Sequence, residues 1–73
     1  MIFYVIELQS NEEAATSAII PYAYADKTAA ETHYHQVLMA AAGSEIRKHG
    51  CMLVNEDGFI LKSEFYNHEN IDE

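Results

Sequence analysis

Residues 1–9, an apolar run from Met1 to Ile6 followed by Glu7, Leu8 and Gln9, predict a β-strand whose side chains divide between two faces. Ile2, Tyr4, Ile6 and Leu8 fall on one face; Phe3, Val5, Glu7 and Gln9 fall on the other. Ser10-Asn11-Glu12-Glu13 reads as a polar turn. Residues 16–24 predict a second strand, with β-branched Ile19 and Ile20 and aromatic Tyr22 and Tyr24. Pro21 cannot donate to a ladder, which places this strand at a sheet edge.

The period then changes. Ala30, Tyr34, Val37, Leu38 and Ala41 form the stripe of an amphipathic helix over about residues 27–42. Two N-caps compete, Asp26 and a capping box made by Thr28 and Glu31. Gly43 is the natural stop. Residues 45–55 and 59–66 predict a hairpin closed at Asn55-Glu56-Asp57-Gly58. The expected fold class is α+β: a four-stranded sheet in β-β-α-β-β order with one helix packed on one face. One domain spans 1–68, and 69–73 reads as a frayed acidic tail.

One helix covers one face of such a sheet, yet both faces of its strands carry apolar residues. Ile2, Tyr4 and Ile6 oppose Phe3 and Val5, and Met52 and Val54 oppose Cys51 and Leu53. Met39 lies roughly 160° from the helix stripe, and Ala40 and Ala42 leave the last turn smooth. Uncovered apolar surface of this kind marks interfaces, and symmetric association closes it. The expectation is a homo-oligomer whose interface includes Phe3, Val5, Met39 and Ala42.

A net charge of −8 argues against direct nucleic-acid binding. No run reaches the length of a membrane span, and the start lacks the basic region of a signal peptide. A cytoplasmic protein is expected. Cys51 is the only cysteine, so no disulfide forms within the chain. Of four histidines, His33 and His35 sit two apart on a helix and point in nearly opposite directions. No metal-ligand spacing, glycine-rich phosphate loop or nucleophile–base–orienter set is readable, so neither cofactor, metal nor catalysis is expected. Arg47, Lys48 and His49 form the one basic cluster, suited to an anion.

At Tyr34-His35-Gln36-Val37-Leu38, Ala40-Ala41-Ala42, Ser44, His49 and Leu53-Val54-Asn55-Glu56-Asp57-Gly58, the chain resembles a group of tiny acidic proteins. They are encoded by phages, prophages and mobile elements of Firmicutes, and the resemblance covers most of the chain. It implies a phage-type accessory protein working inside a bacterial cell, and it carries over no catalytic residues. A counter-defence protein acting by binding is the expectation, either sequestering a small nucleotide-like signal or blocking a host immune protein. In the sequestering form Tyr34, His35, Arg47, Lys48, His49 and His68 supply stacking and phosphate contacts at subunit seams. The alternatives are a structural or tail-module component and an acidic nucleic-acid mimic.

Overall fold

The structure, a computed structural model, describes residues 1–11 and 16–68. Strands β1 (Phe3–Asn11) and β2 (Thr16–Tyr24) precede helix α1 (Lys27–Ala42), and β3 (Lys48–Asn55) and β4 (Ile60–Asn67) follow it. The strands make one antiparallel sheet in the order β2-β1-β3-β4. This is the α+β fold that the periodicity predicts, with β2 and β4 at the edges. The last five residues, 69–73, and part of the Ser10–Glu13 turn lie outside the described residues.

Asp26 wins the competition for the N-cap. Its backbone is extended, and its carboxylate accepts from the Ala29 N–H at 3.0 Å. The stripe on α1 is fully buried, as its spacing requires. It packs on Val5, Cys51 and Leu53, with Phe3, Tyr24 and Tyr66 around the rim. The helix therefore covers the face carrying the odd-numbered residues of β1 and β3. Val5 belongs to that core at 0 % exposed, and Phe3 packs against it. This corrects their placement at a seam between copies: the buried helix stripe needs a floor, and these residues supply it. The apolar face left open is Tyr4, Ile6, Leu8, Met52 and Val54.

The register brings Ile19 beside Leu8 on this open face, and Phe65 beside Gly50. Beside β4, Gly50 has no room for a side chain. A Cβ at position 50 would meet Phe65 Cδ1 at 2.1 Å and the Glu64 carbonyl oxygen at 2.5 Å. At the other end of β3 the hairpin turns on Asn55. Its Oδ1 accepts from the N–H groups of Asp57 and Phe59. Gly58 supplies the positive φ of 90° that the turn needs. The extra residue there shifts the register between Leu53 and Val54.

Candidate functional site

The chemistry-bearing residues distribute over three places. The first lies under the C-terminal end of α1. Glu7 on β1 and His49 on β3 both face the helix side of the sheet, two pairs apart along the ladder and so diagonal neighbours. His49 Nε2 lies 2.5 Å from Glu7 Oε2, and its Nδ1 lies 2.9 Å from Ser44 Oγ. A carboxylate only accepts, so Nε2 carries the proton, and in the neutral ring Nδ1 accepts from the Ser44 hydroxyl. Gln9 Nε2 donates to the same carboxylate oxygen at 3.0 Å. Burial raises the Glu7 pKa; hydrogen bonds from His49 and Gln9 outweigh that and leave the carboxyl below its ordinary value.

This serine–histidine–carboxylate chain is a set the sequence hides, because Glu7 and His49 are 42 positions apart. Its donor order matches that of a nucleophile, base and orienter. Its surroundings fit a structural tie instead. His49 is 4 % exposed, and Ser44 Oγ also receives the Ile46 N–H at 3.4 Å. The chain locks the loop after α1 to the two central strands.

The second place is an open groove of about 560 Å³ between α1 and β4. Tyr34, His35, Met39, Lys62, Glu64 and Tyr66 are among its lining residues. Tyr34 gives its ring to the core, and burial pushes its hydroxyl pKa up. His35 is exposed and meets the Tyr34 ring edge-on at 5.3 Å. Met39 is 72 % exposed, and Ala42 is also exposed. Lys62 Nζ stands 3.9 Å from Glu31 Oε2.

The third place is the open face. Lys48 lies there, beside Leu8, Ile19 and Phe65, in a mainly apolar hollow of about 290 Å³. Strand alternation thus splits the basic cluster, since Lys48 and His49 point to opposite faces. Arg47 is half-buried, and its carbonyl accepts from the His68 N–H at 2.7 Å. His68 Nε2 donates to the Ala41 carbonyl at 2.8 Å, holding the end of α1 to the end of β4. Tyr34 and His35 share the groove, while Arg47, Lys48, His49 and His68 do not join them. His33, half-buried, has its Nδ1 in a 2.6 Å hydrogen bond with the Tyr24 hydroxyl and packs 4.3 Å from the Tyr22 ring. It points away from His35.

Among the described residues no group of three His, Cys, Asp or Glu side chains is placed to hold a metal ion. Among the same residues no helix is long and apolar enough to cross a membrane. No family model, curated protein or solved structure matches this chain.

Proposed function

We propose that the protein acts by non-covalent binding, as an assembly of identical copies. Its role is that of a phage-type counter-defence accessory that sequesters a nucleotide-like signal or blocks a host immune protein. The open sheet face carries this reading. Tyr4, Ile6, Leu8, Ile19, Met52, Val54, Ile60 and Phe65 share it, and among the described residues no element lies across it. Four strands of 8–9 residues present a footprint of about 500 Å². Two such faces closed on each other remove about 1,000 Å² from water, the threshold for a stable interface. The role within the cell comes from the sequence resemblance.

The acidic-mimic alternative asks for carboxylates gathered on one surface. Here Glu7 is turned inward, Glu56 and Asp57 sit in the hairpin turn, and Asp26 caps the helix. That distribution favours assembly over mimicry.

Native mass spectrometry of the full chain tests the reading, together with calorimetry against cyclic nucleotides and ADP-ribose derivatives. Assembly beyond the monomer is expected. Ile19→Lys should abolish the face-to-face contact while leaving thermal stability unchanged, because Ile19 is already 69 % exposed. A monodisperse monomer at high concentration ends the reading. An assembly that binds none of the nucleotides removes the sequestering version.

A further inference from the structure

We propose that β4 pairs along its free edge, antiparallel and about a two-fold axis at Ser63, with β4 of a second copy. This goes beyond the face-to-face contact and shares with the proposed function only the premise that copies assemble.

The first argument is the edge itself. Phe59, Ile60, Leu61 and Phe65 are all exposed, and β4 has one half-buried residue, Tyr66, and no buried one. Long apolar edges with unpaired N–H and C=O groups template pairing, and proteins guard them. The opposite edge has such a guard, Pro21 in β2. Within Lys62–Asn67 there is no proline, glycine or bulge.

The second argument fixes which groups are free. The His68 N–H bonds the Arg47 carbonyl, and this pair continues the β3–β4 register. Bonded pairs alternate along an antiparallel ladder. His49–Tyr66, Cys51–Glu64 and Leu53–Lys62 are therefore bonded, and Ser63 and Phe65 direct their backbone groups outward. A second β4 must set outward residues against outward residues, which also keeps the two helices on the same side of one continuous sheet.

The third argument chooses the register. An axis at Lys62 or Glu64 sets two like charges face to face, which destabilises a strand pair. An axis at Ser63 places Lys62 opposite Glu64 of the second copy, and Glu64 opposite its Lys62. By the same count Phe65 falls opposite Leu61. Opposite charges, aromatic and aliphatic residues are the cross-strand pairs that stabilise sheets. Lys62 and Glu64 also line the groove beside α1. The pairing thus joins two grooves across the seam, with both charge pairs on its floor.

Sedimentation velocity on the full chain tests the proposal with Lys62→Glu, Glu64→Lys and the double exchange. Each single reversal turns two attractive pairs into two repulsive ones. Each should weaken the edge contact about tenfold and shift the assembled mass downward. The double exchange should restore it. Both positions are exposed; Lys62→Glu loses the contact with Glu31 and Glu64→Lys the hydrogen bond with Tyr66, so urea unfolding of each variant accompanies the sedimentation measurement. Mild oxidation of Ser63→Cys should give a disulfide-linked dimer, since Cα atoms of a bonded pair stand about 5.5 Å apart. An assembly indifferent to either reversal, not restored by the exchange, or without a Ser63→Cys crosslink overturns edge pairing while leaving face closure standing. A wild-type chain that stays monomeric overturns both.

Discussion

The imidazole of His49 and the carboxylate of Glu7, 2.5 Å apart across the two central strands, make a polar contact largely shut off from water. A buried carboxylate that loses its donor keeps the desolvation cost and loses the compensation. His49→Ala should therefore lower stability by about 2 kcal/mol in urea unfolding at neutral pH. A loss below about 0.5 kcal/mol would mean that water replaces the imidazole there.

The same contact sets an acid limit. The Glu7 carboxyl lies below its ordinary value of 4.5 in the folded chain, so it contributes stability above pH 4.5. That contribution fades as pH falls through the lower folded value. Glu7→Gln should flatten the unfolding midpoint against pH in this acid range. A variant whose acid profile parallels wild type would assign acid sensitivity to other carboxylates.

Gly50 and Phe65 give a prediction with an internal control. Gly50→Ala places a Cβ against both the Phe65 ring and the Glu64 carbonyl oxygen. A loss of about 2 kcal/mol or more is expected in thermal unfolding. Phe65→Ala in the same chain should not rescue it, because the backbone oxygen at 2.5 Å remains. Full rescue would show that the side chain alone sets the requirement.

The helix start rests on one side chain. Asp26→Ala removes the acceptor for the Ala29 N–H and should cost about 1 kcal/mol, while Asp26→Asn should retain most of the stability. Equal losses in both variants would point to the Thr28–Glu31 box as the working cap.

Cys51 should be inert in the folded chain. It is fully buried, and burial pushes its thiol up to about 11. Reaction with a disulfide reagent at pH 8 should be slow and should accelerate in urea along the unfolding curve. Rapid reaction without denaturant would reveal local opening between β3 and its neighbours.

The elements of this fold were readable because each carries its own period. The α1 stripe specifies both a helix and the side it buries, and Pro21 and the Asp57-Gly58 turn mark an edge and a hairpin. Two features resisted. Which face of β1 the helix covers was one: setting Phe3 and Val5 at a seam between copies is the reverse of what the structure shows, and Tyr4 and Ile6 are apolar enough to have served as the floor instead. The helix covers the odd face, which also buries Cys51 and Leu53 and leaves Gly50 to receive Phe65. The Glu7–His49–Ser44 chain resisted for a different reason. A cross-strand register unites residues that no local spacing relates, and the ordinary look of Ser44 after a helix gives no signal.

Pro21 has a consequence for how large any assembly can grow. A sheet with two equally receptive borders adds copies end over end and becomes a fibre. Here one border has a residue with no amide hydrogen, which makes it the less receptive of the two. If copies join through β4 as proposed, a two-fold union uses the other border up on both sides at once, and polymerisation through the sheet stops at a pair.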